Sequence, residues 1–80
     1  MNELDKLKQL LDELLIDYTL EQKHEATVIR LVTKPAQIVW WGEDTFTILG
    51  WGYQNQFEYS AEYVARMLDR KFREEMKVQR

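Results

Sequence analysis

The sequence predicts an α+β domain: a two-layer sandwich in which an antiparallel meander of three to four strands carries an N-terminal and a C-terminal helix on one face. Three observations predict it. Leucines recur with helical spacing over the first sixteen residues, apolar and polar residues alternate from Tyr18 to Leu49, and helical spacing returns after Ser60. A meander with one helix at each end most simply packs both helices on one sheet face. The order is α-β-β-β-β-α, in a single domain over residues 1–80, with no repeat, linker or low-complexity tract.

Leu4, Leu7, Leu11 and Leu14 form a stripe, widened by Leu10 and Leu15, that predicts a helix over residues 3–16. Asn2 is its N-cap, and Glu3 and Asp5 place negative charge where the helix dipole favours it. Two heptads are too short for a coiled coil, so the stripe reads as core. Tyr18, Leu20 and Gln22 alternate with Thr19, Glu21 and Lys23 as a first, edge-like strand, and Lys23 to Glu25 form a polar turn. Residues 27–33, T-V-I-R-L-V-T, are rich in β-branched side chains and predict a second strand, ended by Lys34-Pro35. Gln37–Trp41 and Thr45–Leu49 are the third and fourth strands, joined through Gly42-Glu43-Asp44. Residues 50–56 read as loop. Ser60 then caps a second helix, with Glu62 in its first turn; its buried stripe is Ala61, Val64, Ala65, Leu68, Phe72 and Met76, and it ends near Lys77.

The adjacent Trp40 and Trp41 must point to opposite faces of the sheet, because successive strand side chains alternate. Hairpin register decides which enters the core. A three-residue loop over 42–44 pairs Trp40 with Phe46, whereas a four-residue loop over 42–45 pairs Trp41 with Phe46. The sequence leaves both open. With Ile29 and Leu31 turned to the helices, the second face carries Val28, Arg30, Val32, one tryptophan and one of Ile38 or Val39.

Composition narrows the function classes. A chain of 80 residues buries only roughly 60% of its unfolded surface, and without cysteine it has neither disulfides nor thiolate metal sites. Three Trp, four Tyr and three Phe compensate with large buried areas. No apolar run approaches a membrane span, and the N-terminus lacks the pattern of a signal peptide, so a cytoplasmic protein is expected. The net charge of −3 is unevenly placed: residues 66–80 carry six basic and three acidic side chains. Those cations complement the C-terminal end of the second helix, and the overall acidity disfavours a dedicated duplex binder.

The residues suggest no catalyst. His24 is the only histidine and Ser60 the only serine, and Ser60 is taken by its cap. A hydrolytic triad needs nucleophile, base and acid in contact. His24 with Glu21 and Glu25 is a poor ligand set, since structural metal sites recruit more His or Cys. The glycines match neither dinucleotide-binding nor Walker spacing. We therefore expect no catalytic residues, cofactor or metal. The favoured expectation is a protein-interaction module, or a homodimer, using the second sheet face at Val28, Arg30, Val32 and Trp40 or Trp41, since Trp and Arg are enriched at binding hot spots. An exposed strand edge is a second route to self-association. The alternative is a single-stranded nucleic-acid binder stacking bases on Trp51 and Tyr53, among an aromatic series that includes Phe57, with Arg30, Arg66, Arg70 and Arg73 for phosphates.

The opener L-D-K-L-K-Q-L-L-D-E-L-L leading into I-D-Y-T-L, the strand T-V-I-R-L-V, the hairpin V-W-W-G-E-D-T-F-T-I-L-G and the closing helix S-A-E-Y-V-A-R-M-L span the whole chain. In style and element order it resembles the small accessory proteins encoded by phages and prophages of Gram-positive bacteria. The resemblance implies binding to a host or phage protein; some such proteins inhibit nucleases with acidic surfaces that mimic nucleic acid. This chain departs from that pattern, with no dense acidic segment and a basic last helix, and no functional residue carries over.

Overall fold

A computed structural model describes residues 2–42, 45–53 and 59–78, with the backbone alone for 77 and 78. Its elements are α1 (Glu3–Glu13), β1 (Tyr18–Lys23), β2 (Ala26–Leu31), β3 (Ala36–Trp40), β4 (Phe46–Gly50) and α2 (Ala61–Val78), an α+β fold with one open antiparallel sheet of order β1-β2-β3-β4. The expected turn residues Glu43 and Asp44, and the ring of Phe57, lie outside the described residues.

Both helices start as their caps dictate. The Asn2 side chain accepts the Asp5 backbone N–H at 2.8 Å, and Ser60 Oγ accepts that of Tyr63 at 3.2 Å. The C-terminus of α1 differs from expectation. The helix stops at Glu13 instead of residue 16, because Leu15 takes a left-handed conformation at φ 61°. The N–H of Leu15 donates to Asp12 C=O and that of Ile16 to Leu11 C=O, the paired bonds of a Schellman motif. Ile16 and Leu11 enter the core together, while Leu15, expected in the apolar stripe, is 88% exposed.

The strand registers run without a break. Tyr18 opposes Leu31 and Lys23 opposes Ala26, across a two-residue turn in which His24 has φ 49°; histidine is among the side chains that tolerate this region. Ile29 opposes Ile38, which opposes Ile48. The β3–β4 register pairs Trp40 with Phe46, the three-residue alternative, so Trp40 packs against the core and Trp41 turns the other way. Strand β2 ends at Leu31, before Val32 and Thr33, and β3 and β4 each begin and end one residue away from expectation.

The core lies between the helices and one sheet face. Leu7 and Leu11 of α1 and Val64, Ala65 and Leu68 of α2 meet Ile29, Leu31, Ile38, Phe46 and Ile48. A Lys6–Glu62 ion pair at 3.6 Å links the two helices. Met76, expected in the buried stripe, is 72% exposed. Helix α2 has 18 residues, about 27 Å of rise, while the five-residue strand β4 spans roughly 17 Å, so its last turns run past the sheet. Among the described residues, no helix is long and apolar enough to cross a membrane.

Candidate functional site

The sheet face turned away from both helices is built by strand alternation. Its middle row is Glu21, Val28, Val39 and Thr47; the next is Thr19, Arg30, Gln37 and Leu49. Ala26 and Val28 are already buried among their neighbours, and Val39 and Leu49 are half-buried. Trp41, 60% exposed, is the large apolar group left to solvent at one end of this face. At its β1 side, Arg30 donates from Nε and Nη2 to the same Glu21 oxygen, at 3.1 and 2.8 Å, and Lys23 approaches that oxygen at 3.7 Å. The hydrogen bond from Arg30 holds the Glu21 carboxyl below its ordinary range. The result is an apolar strip ending in an exposed indole and bordered by a charge cluster.

Of the expected interface residues, Val28, Arg30 and Trp41 share this face. Trp40 lies on the helix side, and Val32 is exposed in the turn after β2, its N–H donating to Asp17 C=O. Leu49 was not expected there, yet its phase with Thr45 and Thr47 in T-F-T-I-L carries the signal.

The second aromatic group gathers elsewhere. Gly50-Trp51-Gly52-Tyr53 forms a tight turn: both central residues have positive φ, 53° and 85°, and the Tyr53 N–H donates to Gly50 C=O at 2.9 Å, as in a type I′ turn. This reverses the chain, so Trp51 folds onto α2, its ring 5.0 Å from that of Phe72, with Lys34 and Lys71 over it at 5.8 and 5.5 Å. Its Nε1–H and Lys34 Nζ both donate to Glu75, whose carboxyl is thereby held low, first by Lys34 and then by Trp51. Tyr53 donates its hydroxyl proton to Met67 C=O, and burial pushes its phenol up.

The residues of the nucleic-acid alternative are thus divided. Tyr53, Arg66 and Arg70 line one open cleft of ≈ 270 Å³ with Tyr63, Lys71 and Glu74. Arg30 lies on the helix-free face, paired with Glu21; Arg73 pairs with Asp69; and the Trp51 ring is packed against Phe72. His24 is exposed in its turn, and among the described residues no group of three His, Cys, Asp or Glu side chains is placed to hold a metal ion. Comparisons of the chain with known family models, with curated proteins and with solved structures each return no match.

Proposed function

We propose that this chain is a non-catalytic protein-binding domain whose contact surface is the helix-free sheet face centred on Trp41, Val39 and Leu49. The observation that carries the reading is Trp41, a 60% exposed indole held by a sheet register that leaves it no place in the core. A tryptophan buries up to about 250 Å², so covering the exposed part removes about 150 Å² from water. At ~25 cal/mol/Å² that supplies about 4 kcal/mol before the costs of association. The Arg30–Glu21 cluster, on the β1 side of the same face, gives a partner polar groups that fix orientation. The small phage and prophage accessory proteins that the sequence resembles in style and element order commonly act by binding a host or phage protein.

The test compares Trp41→Ser with Trp40→Ser. Trp41→Ser is expected to leave the thermal midpoint nearly unchanged and to abolish partner capture, while Trp40→Ser lowers the midpoint. Iodide quenching of a variant retaining only Trp41 reads its exposure directly. Unaltered capture by Trp41→Ser, or a Trp41 shielded from iodide in the monomer, overturns the reading.

A further inference from the structure

The sheet has two edges, and they are treated differently. The outer edge of β4 is met at both ends by the chain itself: Gly50 pairs with Tyr53, and Phe46 and Tyr59 exchange both backbone hydrogen bonds, at 2.7 and 3.0 Å. Among the described residues nothing pairs with the outer edge of β1, whose residues from Thr19 to Lys23 are all exposed. That edge carries no proline, bulge or inward-facing charge; its charged residues, Glu21 and Lys23, lie on the helix-free side, and its register with β2 is continuous over six residues.

The phase of its hydrogen-bonding groups follows from one bond. The Val32 N–H donates to Asp17 C=O at 3.1 Å, so Asp17 and Val32 are a hydrogen-bonded pair of the ladder. Bonded and non-bonded pairs alternate in antiparallel sheets. Thr19, Glu21 and Lys23 therefore point their backbone groups at β2, and Tyr18, Leu20 and Gln22 point theirs outward. Leu20, opposite Ile29, lies on the helix side of the sheet and is nevertheless 46% exposed.

We propose that β1 pairs antiparallel with β1 of a second copy of this chain about a two-fold axis through Leu20. In this register Tyr18 faces Gln22 of the second copy and Leu20 faces Leu20, and all three outward residues exchange both N–H···O bonds. On the other face Thr19 meets Glu21, and Asp17 meets Lys23, an opposite-charge pair that occurs twice by symmetry. Sliding the axis to Glu21 sets Glu21 against itself, and sliding it to Thr19 sets Asp17 against Glu21; each also forfeits one of the bonded pairs. The segment D-Y-T-L-E-Q-K is thus complementary to its own reverse in one register. The two exposed Leu20 side chains bury each other on the helix side.

Sedimentation velocity on the full chain across micromolar to millimolar concentration tests this. A reversible monomer–dimer equilibrium is expected, with the amides of Tyr18, Leu20 and Gln22 gaining exchange protection as the dimer forms. Asp17→Lys and Lys23→Glu are each expected to weaken the dimer about tenfold, since each alters two cross-strand pairs. The double variant restores it to within a few-fold. Within one chain these residues stand six positions apart, about 20 Å along the strand, so rescue reports contact across the axis. Both side chains are exposed, and circular dichroism melts confirm that the variants fold. A monomer at every concentration, or a double variant no better than the singles, overturns the proposal. So does a dimer indifferent to the charge exchange but lost in Trp41→Ser, which instead seats the second copy on the sheet face. Failure of the edge contact with partner capture intact leaves the sheet-face reading standing.

Discussion

Replacing Leu15 by glycine is expected to stabilise this protein, although it deletes a large apolar side chain. Leu15 occupies the left-handed position that follows the C-cap of α1, at φ 61°, and an L-residue there costs roughly 1–2 kcal/mol through the clash of Cβ with its carbonyl. Glycine removes that cost. The side chain is 88% exposed, so little burial is lost with it. Against the gain stands the greater freedom of glycine in the unfolded chain, worth about 0.4–1 kcal/mol. The balance is a stabilisation of about 0.5–1 kcal/mol, a rise of about 2–8 °C in midpoint for a domain of this size. Leu15→Ala keeps the strain and the helix bonds and is expected to change the midpoint by less than half as much. Urea and thermal unfolding of both variants measure the difference. A glycine variant no more stable than the alanine variant refutes the reasoning, because the left-handed strain would then contribute nothing.

Two further perturbations probe other parts of the fold. Gly50 has φ +80°, and a Cβ there would lie 2.2 Å from the Pro35 carbonyl oxygen, a backbone atom that cannot swing away; Gly50→Ala should cost at least about 3 kcal/mol, whereas Gly42→Ala, at φ +90° in open space, should cost only about 1 kcal/mol, as read by urea midpoints. Glu75, Glu21 and Glu62 all have folded-state carboxyls held below their ordinary range, by Lys34 with Trp51, by Arg30, and by the backbone N–H of Glu62 with Lys6, respectively. Their stabilisation is therefore complete above the usual glutamate range and is lost as pH falls through the lower folded values. Unfolding midpoints should drop in that acid window, and Glu75→Gln should remove part of the drop; a pH-independent midpoint there would contradict the assignment.

Much of the architecture was legible because it rests on period. The α1 stripe, the alternation in β1, the β-branched run of β2 and the Ser60 cap each specify an element locally, and a meander with terminal helices has few ways to pack. The features that escaped depend on backbone conformations taken by residues that seldom adopt them. Nothing about Leu15 marks it as the end of a helix, since glycine or asparagine is the usual occupant. Trp51 likewise takes a left-handed conformation between two glycines, which converts an apparent loop into a reversal that delivers its ring to Phe72 and Glu75. Met76 followed the helical period yet fell beyond the sheet, because period reports which side of a helix a residue occupies and not how far its partner layer extends. Hairpin register could not be read at all: one residue of loop length exchanges Trp40 and Trp41 between faces.

That exchange also bears on how the two open surfaces relate. Trp41 follows β3 on the helix-free face, and Leu20 lies on β1 at the free edge on the opposite side of the sheet. A two-fold axis perpendicular to the sheet at Leu20 keeps both helix-free faces on one side. Five strand spacings then separate β3 from its counterpart, about 24 Å at ~4.8 Å per spacing before twist is considered. Edge pairing would therefore bury neither tryptophan and would present two copies of the same contact surface in one plane. The edge contact would be made largely by main-chain bonds in a fixed register, and the face contact by one exposed indole and its apolar neighbours. Charge exchange across the axis acts on the first and leaves Trp41 untouched, while Trp41→Ser acts on the second and leaves the β1 register intact, so the two contacts are separable by experiment even where one molecule uses both.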